Sequence, residues 1–269
     1  MRRVREFFRE LHRRNPVLSA MGWANVALLA AAIIAAPFDP RTVTGIGPWI
    51  KPMKFAASVA IFVFTMAWLL EYVKGYRRTV RLISWGITIV FAFEQASIFA
   101  QAARGTASHF NVGTPLDAAV FSLMGLMIVV NTALVLVALA LFFKRTEPLA
   151  PAYLWGIRLG FVLFVAAGLE GFAMTSNMGH TVGAADGGPG LPVLGWSTRA
   201  GDLRIAHSLG LHALQALPMV GYALSRRAGG EGRHSATAYL WAFAAVYAAA
   251  FTLLFWQAAL GRPLLALAD

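Results

Sequence analysis

Apolar runs recur along the chain, separated by short basic stretches or by stretches carrying Gly, Thr and Pro. Seven runs lie near 16–37, 52–73, 79–103, 117–143, 151–174, 202–224 and 236–260. Each has about the 20 residues needed to cross the hydrocarbon core of a bilayer. The pattern predicts an all-α fold, a multi-pass bundle of seven transmembrane helices. Ahead of the first run, Arg residues alternate with Val4, Phe7, Phe8 and Leu11. That i, i+3, i+4, i+7 spacing predicts a basic amphipathic helix over residues 1–15, lying on the inner leaflet. Residues 16–269 then form a single seven-helix transmembrane domain. The run after the basic helix is too long for the core of a cleaved signal peptide, so an uncleaved anchor is expected.

Composition agrees with lipid as the solvent. The chain is 58% hydrophobic and 13% charged, against about a quarter charged for soluble domains. It contains no cysteine, which excludes disulfides, thiolate metal sites and cysteine catalysis. The net charge of +11 would suit nucleic acid, but its placement argues against that partner. Of the 23 Lys and Arg, 15 fall at the N-terminus and in the loops after runs 2, 4 and 6. Seven fall on the opposite side, and Arg158 lies inside run 5. The basic side is expected to be cytoplasmic, giving N-terminus in, C-terminus out and a bacterial inner membrane. Five acidic residues, Glu231 among them, share the inner side with the 15 cations, and seven acidic residues balance the seven outer cations. The excess charge therefore faces anionic lipid, and the bilayer is the expected partner. Tryptophans at both ends of the runs form the interfacial belts that such a topology predicts.

The loops differ by side. Inner loops are short and basic, whereas residues 175–201 form the longest outer loop, expected to fold as a packed cap. Runs 3 and 7 align at an offset of 156, matching Trp85 with Trp241, Gln101 with Gln257 and Gly105 with Gly261. Runs 2 and 6 align near an offset of 153. A 3+1+3 parallel repeat, as found in several transporter folds, is one organisation this allows.

Ionisable groups inside the runs point to a site, because each costs free energy in lipid. Run 6 opens with Asp202, Arg204, His207, His212 and Gln215. At 100° per residue, Arg204, Ser208, His212 and Gln215 share an arc of about 80°. His207 and His212 are about 140° apart, so they lack the i, i+4 spacing by which two helical histidines share a metal. Beside His207 and His212, a metal would need ligands from another run or loop, such as His109, His180, Glu94 or Glu170. Run 3 presents Glu94, Ser97, Gln101 and Arg104 on one face. Glu94 stands about 15 residues from the inner end, just past mid-membrane. It is expected to be protonated or paired, with Arg204, Lys54 or a histidine as candidate partners in a structural ion pair or a functional one. Glu170 lies in the outer part of run 5, and Lys54 opens run 2, where it can snorkel to the interface. Gly156-Ile-Arg-Leu-Gly160 fits the Gly-x-x-x-Gly helix contact. No phosphate loop, nucleophile elbow or His-Glu-x-x-His motif is present.

Four outer segments carry a family resemblance: Trp49-Ile-Lys-Pro-Met-Lys-Phe55, Arg104-Gly-Thr-Ala-Ser-His-Phe-Asn111, Gly179-His-Thr-Val-Gly-Ala-Ala-Asp-Gly-Gly-Pro-Gly190 and Gly201-Asp-Leu-Arg-Ile-Ala-His-Ser-Leu-Gly-Leu-His212. They resemble an uncharacterised family of bacterial seven-span integral membrane proteins, over about residues 15–225. The resemblance implies a bacterial plasma membrane and supplies no catalytic assignment. The chain departs from the seven-span zinc hydrolases, because their His-x-x-x-His is absent, and from retinal proteins, which need a lysine in the last span.

Three function classes follow. The first is a periplasm-facing pocket for a small-molecule or lipid-borne ligand, with or without a metal or haem, and with or without chemistry on the ligand. Its candidate residues are Glu94, Gln101, Arg104, Glu170, Asp202, Arg204, His207, His212, Gln215 and Lys54. The second is a 3+1+3 small-molecule transporter. The third is a non-catalytic scaffold, in which Glu94, Arg204 and the histidines would all close into pairs.

Overall fold

The computed structural model describes residues 2–227 and 233–266. Glu231, counted above with the inner-side charges, lies outside them. The chain is all-helical, with 75% helix and eight helices among the described residues. They are α1 (Arg2–Arg14), α2 (Pro16–Ala35), α3 (Ile50–Leu69), α4 (Arg77–Arg104), α5 (Pro115–Lys144), α6 (Pro151–Ser176), α7 (Leu203–Arg227) and α8 (Arg233–Ala259). Every apolar run became a helix, with ends within a few residues of expectation. Pro16, Pro115 and Pro151 each open their helix, where a missing N–H costs nothing and the ring's fixed φ suits the first turn. Asn15 and Thr114 cap two of these starts, accepting from Leu18 N at 3.1 Å and Asp117 N at 3.2 Å.

Six helices are long and apolar enough to cross a membrane: α2, α3, α4, α5, α6 and α8, two of them extended by short 3-10 turns. The chain is therefore a multi-pass membrane protein. The seventh expected crossing, α7, is a 25-residue helix but is not among these six. Its Arg204, His207, His212, Gln215, Arg226 and Arg227 dilute its apolar surface.

The chain folds as two compact units, residues 1–146 and 147–269. In the first unit α2 packs on α3 and α4, and α5 packs on α4. Polar bolts cross these interfaces. Asn15 Nδ2 donates to Ser84 Oγ at 2.7 Å, and Gln95 Nε2 donates to Asn25 Oδ1. Amides buried in a bundle gain most when they satisfy one another across helices. At the basic end, Lys74 N bonds Arg145 O at 3.2 Å. At the other end, Arg41 donates to Ala103 O at 3.2 Å, and Trp49 meets Phe99 edge-on at 6.1 Å. Asp39 ties Arg41 and Trp49 together. The Arg41 guanidinium holds the Asp39 carboxyl well below the usual carboxylate range.

The second unit is built on a seam of small residues. A Cβ on Gly156 would lie 2.5 Å from Leu217 O, one on Gly160 2.9 Å from Ala213 O, and one on Gly221 2.4 Å from Ala152 O. The Gly-x-x-x-Gly pair thus makes the close α6–α7 approach its spacing predicts. The α8 helix covers the other side, through Leu240 beside Ala152 and Ala244 beside Ala213 and Leu217. The long loop folds back as a cap. Strands β1 (Thr181–Val182) and β2 (Gly201–Asp202) pair antiparallel. Gly201 sits so close to α8 that a Cβ there would be 1.9 Å from Ala258 O.

Candidate functional site

The candidate residues sort into local clusters, some closed and some not. In the cap, Asp202 is 1% exposed and caps α7, accepting from Arg204 N at 3.1 Å. Its second oxygen accepts from Ser197 N at 2.8 Å. Arg204 folds back on the same carboxylate, at 2.9 Å through Nε, and also donates to Gly195 O. Arg204 is thus held by Asp202 and the cap, where the sequence suggested an anion contact or a partner for Glu94. His180 is likewise engaged. Its Nδ1 lies 2.7 Å from Asp186 Oδ2, and the backbone N–H groups of His180 and Thr181 donate to the same side chain at 3.0 and 2.9 Å. Burial alone would raise Asp186. The hydrogen bonds and charge of His180, with a hydrogen bond from Thr181, outweigh it and hold the carboxyl well below the usual range.

His207 turns toward α6. Its Nδ1 lies 2.9 Å from Ala167 O and 3.0 Å from Glu170 Oε2. The Ala167 carbonyl only accepts, so the tautomer with the proton on Nδ1 is the one that bonds it. Gly171 makes room for the ring, since a Cβ there would sit 3.1 Å from His207 Cε1. Glu170 is 8% exposed, and its Oε1 has no hydrogen-bond partner among the described residues. His212 is exposed on another face, 3.4 Å from Gln215 Oε1. The two α7 histidines therefore diverge as the wheel predicted. No group of three or more His, Asp or Glu able to hold a metal occurs among the described residues.

In the first unit, Thr114 and Asp117 form a capping box, with Thr114 Oγ1 donating to Asp117 Oδ2 at 2.7 Å. The other carboxylate oxygen accepts from Gln101 Nε2 at 2.8 Å and Arg104 Nη1 at 2.7 Å. Gln101 and Arg104 are thereby committed to the α4–α5 turn. Sequence reasoning missed Asp117, although Thr114-Pro-Leu-Asp117 is a capping-box pattern. It also missed Lys51, whose Nζ donates to His109 Nδ1 at 3.1 Å, with Ser108 Oγ 3.0 Å from the same nitrogen. His109 is walled by Phe55 at 5.7 Å and Phe121 at 6.4 Å. Lys54 is half-buried one turn along α3.

Glu94 stands apart from all of these. It is 1% exposed, and neither carboxylate oxygen has a hydrogen-bond partner among the described residues. Lys51 is near enough for its charge to act on Glu94. An ionised carboxylate held there without donors would cost several kcal/mol, on the order of the desolvation penalty per ion, so the group is stable there only when protonated or when met by a donor or cation.

No family model matches the chain, and no curated protein or solved structure is detectably similar to it.

Proposed function

We propose that this is a bacterial inner-membrane protein that binds a small-molecule or lipid-borne ligand through polar groups facing the periplasm. In this reading the N-terminus is cytoplasmic, the C-terminus periplasmic, and α7 is the seventh crossing. Its 25 residues reach about 37 Å at about 1.5 Å each, against a core of about 30 Å. Glu94 carries the reading. A scaffold would close all its buried charges, as Arg204–Asp202, His180–Asp186 and Arg104–Asp117 do. Glu94 is left open. A ligand presenting a hydrogen-bond donor or a cation, such as a protonated amine, supplies what this carboxylate lacks. Lys51, Ser108 and His109 give the same end of the unit a donor-rich rim.

The test is thermal unfolding of the purified protein with ethanolamine, spermidine or choline as probes. Glu94→Gln is isosteric and removes the ionisable group, so it abolishes any ligand-induced rise in Tm. A wild-type response that survives in Glu94→Gln removes Glu94 from the site. No wild-type response to any of the three sinks the amine reading.

One observation favours the transporter as second reading. At the end of α4, Gly105 N bonds Ala102 O at 2.9 Å and Thr106 N bonds Gln101 O at 3.0 Å. At the end of α8, Gly261 N bonds Ala258 O at 2.9 Å and Arg262 N bonds Gln257 O at 3.2 Å. Both glycines are left-handed, with φ of 70° and 73°. The two ends are thus the same Schellman closure, on the residues matched by the offset of 156. Uptake of a labelled amine into proteoliposomes separates transport from binding alone.

A further inference from the structure

A second feature of the first unit is independent of Glu94. An open groove of about 470 Å³ is lined by Arg5, Phe8, Arg9 and His12 of α1 and by Trp23 of α2. The groove is a fixed shape, because α1 is clamped to its neighbours. Phe7 stacks on Trp68 at 5.3 Å, Phe8 meets Trp23 at 4.8 Å, and the Arg14 guanidinium lies 3.8 Å over the Trp68 ring.

The charges of α1 divide into two sets. Arg2 pairs with Glu6 at 2.9 Å, and Arg13 and Arg14 pair with Glu10 at 2.7 and 2.9 Å. These three cations and two carboxylates leave one net positive charge, and Glu10 is lowered to about 2 by its hydrogen bonds from Arg13 and Arg14. Arg5 and Arg9 have no ion pair or hydrogen bond among the described residues. With His12 they follow i, i+4, i+7, one face of the helix, and no acidic side chain lines the groove. Below it, the face of α2 continues as Trp23, Val26, Ala27, Ala30 and Ile34, all exposed. That spacing makes one apolar ridge running from the groove along the helix.

We propose that this groove holds one anionic phospholipid, with its phosphate on Arg5 and Arg9 and an acyl chain along the α2 ridge. Trp23 sits where headgroup meets chain, the position aromatic rings favour at an interface. A free phosphate would leave the ridge without a role. A zwitterionic headgroup would bring its own cation against three basic side chains.

Native mass spectrometry of the detergent-solubilised full chain, titrated with dioleoyl phosphatidylglycerol, tests this. One lipid is expected to bind to the wild type, and Arg5→Gln/Arg9→Gln to weaken it about thirtyfold, from roughly fivefold for each basic side chain at a membrane surface. Arg2→Gln/Arg3→Gln removes the same charge away from the groove and is expected to bind as wild type. All four side chains are exposed, and circular dichroism verifies that both variants keep the helical fold. Equal weakening in the two variants, or none in either, overturns the site. Phosphatidylcholine binding as tightly as phosphatidylglycerol overturns its anionic character. Dihexanoyl phosphatidylglycerol binding as tightly as dioleoyl, or displacement of the lipid by equimolar inorganic phosphate, overturns the seating of the chain.

Discussion

At the scale of single residues, the carboxyl groups separate into those held by donors and Glu94, whose oxygens meet none among the described residues. Asp186 belongs to the first kind. Its folded-state value is depressed, so its contribution to stability is complete above the ordinary aspartate value of about 3.9. That contribution is lost as pH falls from there through the lower folded value. Protection of the His180 and Thr181 amides against hydrogen exchange, taken relative to the intrinsic rate at each pH, should therefore fall below about pH 4, and Asp186→Asn should remove that pH dependence while lowering protection at neutral pH. A loss of protection in acid that persists in Asp186→Asn would assign the effect to another group. Much of the candidate site was legible as a list and little of it as a set of partners. Arg204 stood out because a guanidinium in an apolar run is costly, yet its partner is Asp202, two residues away. The polar run hid an N-cap in plain view. Gln95 and Asn25 bond across 70 positions, a distance no local periodicity reports. The openness of Glu94 is a property of what its neighbours fail to offer, and only coordinates show that.

At the scale of elements, the helices were readable because lipid imposes one length and one composition on each crossing. The Pro-initiated starts fell within a residue or two of the apolar onsets for the same reason. What the apolar pattern could not rank was helix contact. Two glycine-bearing faces, Gly156 and Gly160 on α6 and Gly221 on α7, bring backbone against backbone. Gly221→Leu should push a branched side chain into the Ala152 carbonyl and destabilise the second unit by about 1–3 kcal/mol, or more where the helices cannot shift. Gly125 meets nothing within 4 Å, so Gly125→Leu on α5 should leave Tm nearly unchanged. Comparable losses in the two variants would mean that the small-residue seam is not what holds α6 to α7.

At the scale of the whole molecule, the open question of architecture is whether α7 crosses. The chain has no cysteine, so introduced thiols report position without background. Leu264 is exposed beyond α8. With seven crossings, Leu264→Cys should react with a membrane-impermeant maleimide on intact cells, and Arg3→Cys only after lysis. With six, both would be protected until lysis. The polar character of α7 also bears on how the protein is made. A helix too polar to leave the translocation machinery for lipid on its own must leave in company. In the seven-crossing reading, α6 is synthesised first and presents the glycine face that α7 fits, so the two would partition as a hairpin. His207 would then enter already engaged with Ala167 and Glu170 of α6. A mutation in that seam would accordingly be felt during biogenesis, as chains that insert with the wrong number of crossings, before it is felt as a loss of stability in chains that have already folded.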